Sequence, residues 1–322
     1  MKATVSVALC TYNGERFVAE QLRSILAQSS PPSQIVVSDD GSTDATVAVV
    51  ERELASSGID VTVIRGESPL GVTGNFERAI AAATGDIVVL CDQDDVWHPQ
   101  RLSAAVADFE ADPAALLWHS DARLVDESGA DLGLSLFETL GVGDAELAAI
   151  NRGDAFAQFI RRNLVTGATV VFRRELLAAS LPFPSQWVHD EWLAVIAAAT
   201  GRVRASSTAL IDYRQHSANV IGVTRPTMRT KIDRMLEQRG DRYRRLSARA
   251  DILVERLETV GVAPDTLALA RAKRDFERVR AAYPAARIAR VRQVVAAFRR
   301  GDYARLSSQG NLDVVRDLLH HA

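Results

Sequence analysis

The 322-residue sequence has only two cysteines, few aromatic residues and no long apolar run. Cys10 and Cys91 supply no disulfide framework, so we expect the chain to fold in a reducing compartment. The longest uncharged apolar windows, such as residues 192–200, are too short to span a bilayer. No charged n-region with a long apolar stretch precedes the first strand-like segment. We therefore expect a cytoplasmic protein without a signal peptide.

A glycine-rich phosphate loop is also missing. The first strand-like segment is followed by "TYNGERF", which contains one glycine rather than the G-x-G-x-x-G pattern of dinucleotide-binding proteins. This argues against a dehydrogenase. It also disfavours a sugar-1-phosphate nucleotidyltransferase, which would need a Gly-rich basic loop around a triphosphate. That enzyme and a non-catalytic carbohydrate-binding protein remain the alternatives to the interpretation below.

The net charge of −3 conceals two regions of opposite sign. Residues 225–322 carry 22 Lys+Arg and 12 Asp+Glu, whereas residues 1–224 carry 16 and 29. This asymmetry predicts a domain boundary near Thr224–Thr227. We expect a catalytic domain at 1–224, with halves of about 1–113 and 114–224, followed by a basic helical region at 225–322.

The basic region contains a stretch with apolar residues at helical spacing among arginines. In residues 287–306 these positions are Ile288, Val291, Val294, Val295 and Phe298. A basic amphipathic helix of this kind can lie on an anionic membrane. The alternative is that the apolar residues pack on the catalytic domain or on a second subunit of a homodimer. Both alternatives stay open at the level of sequence.

Short apolar runs alternate with amphipathic stretches through the first half of the chain. This alternation predicts an α/β fold with a mostly parallel central sheet flanked by helices. Three polar clusters, "CTYNG", "SDDGSTD" and "CDQDD", each follow an apolar strand. Ligands of such sheets bind beyond the carboxyl ends of the strands, so we expect the three clusters to meet there.

The cluster "CDQDD" holds three aspartates in four positions. Carboxylates this close repel one another, and a hard divalent cation such as Mg²⁺ or Mn²⁺, bridging a substrate diphosphate, would relieve the repulsion. The alternative is an acidic loop that caps the helix beginning near Pro99. In the other clusters, Asp40 could accept the imide N–H of uracil or thymine, and Tyr12 could stack on a base. The alternatives are a helix N-cap in "DDGSTD" and a plain turn in "TYNG".

Four segments, taken in order, resemble family 2 glycosyltransferases with the GT-A fold. They are "VALCTYNGERFVAEQLRSILAQ", "IVVSDDGSTDAT", "GVTGNFERAIAAATGDIVVLCDQDDVW" and "HDEW", and the resemblance covers residues 4–222. It is closest to bacterial rhamnosyltransferase-like and surface-polysaccharide sugar transferases. It implies an inverting, metal-dependent enzyme that moves a sugar, with L-rhamnose a candidate, from a dTDP- or UDP-sugar. The acceptor would be a hydroxyl of a glycan or lipid-linked glycan, and no nucleic-acid partner is expected.

The resemblance also implies roles for individual residues. Asp94 matches the metal ligand, and His216 matches a histidine that contributes to this site in some relatives. Asp190 in "HDEW" matches the catalytic base, with Glu191 as the fallback. The family more often has Glu-Asp there, so His189 is a departure shared with the rhamnosyltransferase-like branch. The positions matched to nucleotide-sugar binding are Thr11, Tyr12, Asn13, Asp40, Asn75, Asp92 and Asp95.

Overall fold

The computed structural model describes residues 3–216, 242–284 and 286–319. The chain divides into two compact units, the first formed by residues 1–153 and 164–223, the second by residues 154–163 and 224–322. The predicted boundary at Thr224–Thr227 lies outside the described residues. The segment 154–163, which the sequence analysis assigned to the first domain, groups with the C-terminal unit because its contacts are made there.

Within the described residues, the strands of the first unit are Val5–Thr11 (β1), Gln34–Asp39 (β2), Asp60–Arg65 (β3), Ile87–Cys91 (β4), Val96–Trp97 (β5), Ala115–Val125 (β6), Asp131–Ser135 (β7), Val171–Arg173 (β8) and Arg202–Arg214 (β9). They form one sheet in the order β3-β2-β1-β4-β8-β6-β9-β5, with β7 paired to β6. The strands β1 to β4 pair in parallel. Strand β8 is antiparallel to both β4 and β6, and β5 is antiparallel to β9. The predicted α/β architecture is confirmed.

Helices cover the sheet because their apolar faces match the apolar strands. All seven residues of β1 are buried, which is the reason that its sequence is nearly continuous in apolar residues. The first helix buries Val18, Leu22 and Ile25 in the core of this unit. The helices of the first unit are Val18–Leu26 (α1), Thr46–Leu54 (α2), Gly71–Ala81 (α3), Arg101–Ala111 (α4), Leu136–Leu140 (α5), Asp144–Ala149 (α6), Leu177–Ser180 (α8) and His189–Thr200 (α9), with Ala155–Phe159 (α7) in the second unit.

The register of the strands brings the predicted polar clusters to one edge. Thr11 at the end of β1 is the partner of Asp39 at the end of β2. On the other side of β1, Leu9 is the partner of Cys91, after which β4 ends. The chain segments that follow β1, β2 and β4 therefore begin beside one another at the carboxyl edge of the sheet.

The second unit is helical where it is described, as the sequence predicted. Its helices are Arg242–Val260 (α10), Pro264–Ala281 (α11), Arg287–Arg299 (α12), Asp302–Leu306 (α13) and Leu312–Leu319 (α14). Its core combines apolar residues such as Phe276 and Val294 with a buried ionic group. Arg280 donates to Asp317 (2.8 Å) and to Glu277 (3.2 Å). This pairing allows the charges to be buried.

Both cysteines lie in the interior of the first unit. Cys10 and Cys91 are buried and form no disulfide. Burial raises the pKa of both thiols well above the usual value, so both stay protonated and pack as small side chains. In the described ranges, no helix is long and apolar enough to cross a membrane.

Candidate active site

The acidic loop Asp92–Asp95 lies between β4 and β5 at the carboxyl edge of the sheet. Burial, followed by the charges of Asp94 and Asp190, raises the pKa of Asp92 to about 7. Burial and then the charges of Asp94 and Asp92 raise the pKa of Asp95 well above its usual range. The fold therefore collects the loop carboxylates and Asp190, which is distant in sequence, into one cluster.

The two predicted metal ligands lie in contact. Nε2 of His216 is 2.7 Å from Oδ2 of Asp94, although 122 positions separate them in sequence. The imidazole ring stacks on Phe17 with centroids 4.9 Å apart and an interplanar angle of 23°. The stacking fixes the ring plane while its edge faces the carboxylate.

This carboxylate–imidazole pair suits a divalent cation. Mn²⁺ accepts both oxygen and imidazole ligands, whereas Mg²⁺ prefers oxygen. Across residues 3–216, 242–284 and 286–319, no group of three or more His, Cys, Asp or Glu side chains could hold a metal on its own. Asp94 and His216 could supply two ligands of such an ion, and the other described side chains of these types do not complete a site by themselves.

Arg214 holds the acidic loop in place, a role that the sequence analysis missed. Its Nε donates to the carbonyl of Asp94 (2.8 Å), and its backbone N–H donates to Oδ1 of Asp95 (3.0 Å). Its Nη2 donates to Glu20 at 2.6 Å. The side chain is 3% exposed. Because Arg214 ends β9 two residues before His216, it fixes both halves of the candidate metal site. Its signal in the sequence is a single arginine at the end of the strand "ALIDYR".

Asp190 lies in the first turn of α9 and is 8% exposed. Its Oδ2 accepts the backbone N–H of Gly167 (2.8 Å), and its Oδ1 accepts that of Glu191 (2.6 Å). A Cβ at position 167 would lie 3.2 Å from Nε2 of His189, so glycine permits this close approach. The two N–H groups fix the orientation of the carboxylate. Glu191, the fallback base, follows it directly and is half-buried.

His189 is packed rather than exposed at the start of the same helix. It is 3% exposed and stacks on Phe76 with ring centroids 4.1 Å apart. Burial lowers its pKa to about 3, so the imidazole is neutral at physiological pH. The histidine that departs from the common Glu-Asp pattern therefore adds no charge beside Asp190.

Tyr12 and Asn13 present exposed groups beyond β1. The Tyr12 side chain is 54% exposed, and its backbone is held by Gln93, which accepts its N–H (2.8 Å) and donates to its carbonyl (3.1 Å). Asn13 adopts a left-handed conformation with φ of 49° and accepts the N–H of Thr43 at 2.8 Å. The exposed ring of Tyr12 is thus carried by a loop whose backbone is already held, and its stacking on a base stays a prediction.

Thr11, Asp40 and Asn75, the other predicted donor-binding residues, are buried in internal contacts. Thr11 donates to Oδ2 of Asp39 at 2.8 Å. Asp40 accepts the backbone N–H groups of residues 70 and 71, at 2.8 Å and 2.9 Å. Asn75 donates to the carbonyl of Thr11 at 3.4 Å. These residues hold the loops around the site, and their contacts with a donor, like those of Asp92 and Asp95, stay predictions.

The family is established by sequence comparison. The profile for "Glycosyl transferase family 2" matches residues 6–177, which is more than half of the chain. The chain therefore belongs to glycosyltransferase family 2. An uncharacterized glycosyltransferase of Nostoc sp. is 30% identical over 222 residues, which span 67% of this chain and 66% of that protein. The chain thus spans slightly less than two thirds of this relative's length. A dTDP-rhamnosyl transferase of Shigella flexneri, RfbG, is 33% identical over 102 residues, covering 30% of this chain and 35% of RfbG.

Two solved structures share the fold at low sequence identity. S. aureus TarS 1-349, determined with UDP-GlcNAc, has a TM-score of 0.55 and 19% identity, covering 97% of this chain and 89% of that chain. The mannosyltransferase PcManGT of Pyrobaculum calidifontis, determined with GDP-Man and Mn²⁺, has a TM-score of 0.51 and 21% identity, covering 98% and 86%. Both similarities agree with the GT-A fold that the sequence predicted.

Proposed function

We propose that this family 2 protein is an inverting glycosyltransferase that moves a sugar from a nucleoside-diphosphate sugar to an acceptor hydroxyl. One observation carries the proposal: the Asp94–His216 pair and the oriented carboxylate of Asp190 belong to one electrostatic cluster, joined by Asp92. A group that holds a diphosphate and a base that deprotonates a nucleophile are the two requirements of this chemistry.

Asp190 would act as the general base. Its carboxylate is held by two backbone N–H groups, so the orientation of its oxygens is fixed before an acceptor binds. It takes the proton of the acceptor hydroxyl as that oxygen attacks the anomeric carbon from the face opposite the diphosphate. A single displacement inverts the anomeric configuration, and no covalent enzyme intermediate is needed. Such base assistance typically contributes ~10²–10⁴-fold.

Asp94 and His216 would hold a divalent cation, Mg²⁺ or Mn²⁺. When bound, this ion supplies the positive charge that stabilises the leaving diphosphate. Arg214 keeps Asp94 in place by donating to its carbonyl, and it links the acidic loop to the end of β9, two residues before His216. The Mn²⁺ found with the structural neighbour PcManGT supports a divalent ion in general terms.

The donor in this proposal carries a pyrimidine base. Tyr12 would stack on the base and Asp40 would accept its imide N–H, with Asn13 beside them. These contacts accept uracil and thymine alike, so dTDP- and UDP-sugars both fit. L-rhamnose is favoured as the transferred sugar by the similarity to RfbG, which covers 30% of the chain. The acceptor would be a glycan or lipid-linked glycan of a surface polysaccharide.

Contact with an anionic membrane is a further part of the proposal, and it is supported by α12. The predicted apolar stripe divides into two faces: Val294 is fully buried in the helical unit, whereas Ile288, Val291 and Phe298 are 89%, 42% and 48% exposed. Exposed arginines, including Arg292, border the outward face, and the helix carries no acidic residue. Apolar side chains flanked by arginines suit the headgroup region of an anionic leaflet.

Product analysis of the wild type and of Asp190→Asn tests the proposed reaction. With a panel of nucleotide sugars and acceptors, the wild type should release nucleoside diphosphate and form a glycoside whose anomeric configuration, read by NMR, is opposite to that of the donor. Asp190→Asn should lose about 10²-fold or more in kcat and keep its donor affinity. Release of pyrophosphate would indicate a nucleotidyltransferase instead. Retention of configuration would exclude single displacement with Asp190 as the base.

A further inference from the structure

Arg101, the first residue of α4, is completely buried in the first unit. Its guanidinium carbon lies 3.9 Å from the centroid of the Trp97 ring. Its Nη2 donates to the carbonyl of Ala168 at 2.7 Å. Among the described residues, Nε and Nη1 have no hydrogen-bond partner. Burying a cation with two nitrogen atoms that find no acceptor among the described residues is costly, so the fold must gain something from this side chain.

The surroundings of Arg101 explain why its charge persists inside the protein. Burial lowers its pKa to about 10, while the carboxylates of the acidic loop favour the charged form. The side chain therefore stays protonated at physiological pH. It is held by the Trp97 ring, by the carbonyl of Ala168 and by the electrostatic attraction of the acidic loop.

The Ala168 carbonyl belongs to the short turn Gly167–Thr169 that orients the proposed base. The N–H of Gly167, one residue before Ala168, donates to Oδ2 of Asp190 at 2.8 Å. The turn is closed by the N–H of Thr169, which donates to the carbonyl of Thr166 at 2.8 Å. A single small turn is thus bonded to Asp190 through the peptide group that joins residues 166 and 167, and to Arg101 through the one that joins residues 168 and 169.

We infer that Arg101 is a positioning residue that holds the turn Gly167–Thr169, and through it the carboxylate of Asp190, against the acidic loop. This inference rests on the proposed function, because it assigns Arg101 to the base of that reaction. Only arginine combines a planar group that stacks on Trp97 with a fork that reaches the Ala168 carbonyl. Lysine at the same position would keep the charge but lose the plane and the fork.

The test is Arg101→Lys, with Arg173→Lys as the matched control. Like Arg101, Arg173 donates to backbone carbonyl groups and lies over an aromatic ring. Its acceptors are the carbonyls of Phe109 (2.8 Å) and Ala115 (3.0 Å), and the ring is that of Phe109. It forms no hydrogen bond with the turn Gly167–Thr169. We expect Arg101→Lys to lower kcat by about 10- to 100-fold while the donor KM stays nearly unchanged, because a small displacement of a base is enough for such a loss. Arg173→Lys should leave kcat unchanged.

Two further variants separate positioning from general destabilisation. Gly167→Ala places a Cβ 3.2 Å from Nε2 of His189 and should lower kcat in the same way, which keeps the test valid if Arg101→Lys does not fold. In the Asp190→Asn background, Arg101→Lys should have no further effect on the residual kcat, because it acts through the missing carboxylate.

Three outcomes would overturn the inference. One is equal kcat losses in Arg101→Lys and Arg173→Lys, and another is a raised donor KM with unchanged kcat in Arg101→Lys. The third is full additivity with Asp190→Asn. If any of these occurs while Asp190→Asn keeps only a small residual kcat, the positioning role fails and the proposed function stands. If Asp190→Asn keeps wild-type turnover, the proposed base is wrong and the role of Arg101 falls with it.

Discussion

Replacing Asp92 by asparagine is expected to stabilise the fold at pH 8 in the absence of divalent cations. Asp92 shares its cluster with Asp94 and Asp190, and burial together with their charges raises its pKa to about 7. At pH 8 the carboxylate is ionised and repelled. Asparagine has nearly the same shape without the charge, so the substitution removes the repulsion while the packing is kept.

The size and the pH dependence of the stabilisation follow from the shift in the pKa of Asp92. An unperturbed aspartate has a pKa of about 3.9, so the shift to about 7 corresponds to at most about 4 kcal/mol at roughly 1.4 kcal/mol per unit. Asp92 is half-buried, and the repulsion is distributed over its neighbours. We therefore expect Asp92→Asn to raise the free energy of unfolding by about 1–2 kcal/mol, which corresponds to a rise of roughly 2–8 °C in Tm. Below pH 4 both states are protonated and the penalty is absent. It grows as the pH rises from 4 to 7 and is complete above 7.

Thermal unfolding of the wild type, Asp92→Asn and Glu110→Gln at pH 8, 6 and 4.5 would measure this effect. Glu110 is exposed on α4 of the same unit, so Glu110→Gln controls for the loss of one negative charge. The stabilisation by Asp92→Asn should be largest at pH 8 and nearly absent at pH 4.5. A gain that does not change with pH, or one matched by Glu110→Gln, would refute the electrostatic explanation.

Two further predictions concern the metal and the membrane. Calorimetry should show that Mn²⁺ increases the donor affinity of the wild type and that Asp94→Ala abolishes this increase, whereas Glu110→Gln retains it. Equal losses in both variants would contradict the metal assignment. The full chain should co-sediment with anionic vesicles more than with neutral ones, and the double substitution Ile288→Ser with Val291→Ser should reduce this binding several-fold while Arg305→Gln changes it little. Binding that is unaffected by the double substitution would exclude the outward face of α12 as the contact.

The first half of the fold could be predicted because its signals are local. The apolar run of β1 and the amphipathic spacing of α1 each specify one element within about ten residues. The acidic loop could be recognised for the same reason, since it follows β4 directly. The position of β8 in the sheet could not be predicted from the sequence. This strand has only three residues, and its neighbours in the sheet, β4 and β6, are remote from it along the chain.

The alternation of strands and helices in the first half of the chain, the acidic loop and the resemblance to the family could be predicted from the sequence itself. Only the tertiary structure decided which distant groups meet: His216 beside Asp94, and the Gly167 turn beneath Asp190. It also decided that Arg214 is buried, although its residue type is typical of surfaces. The physical reason is that the partners of a buried charge come from other elements, and no local pattern in the sequence records them.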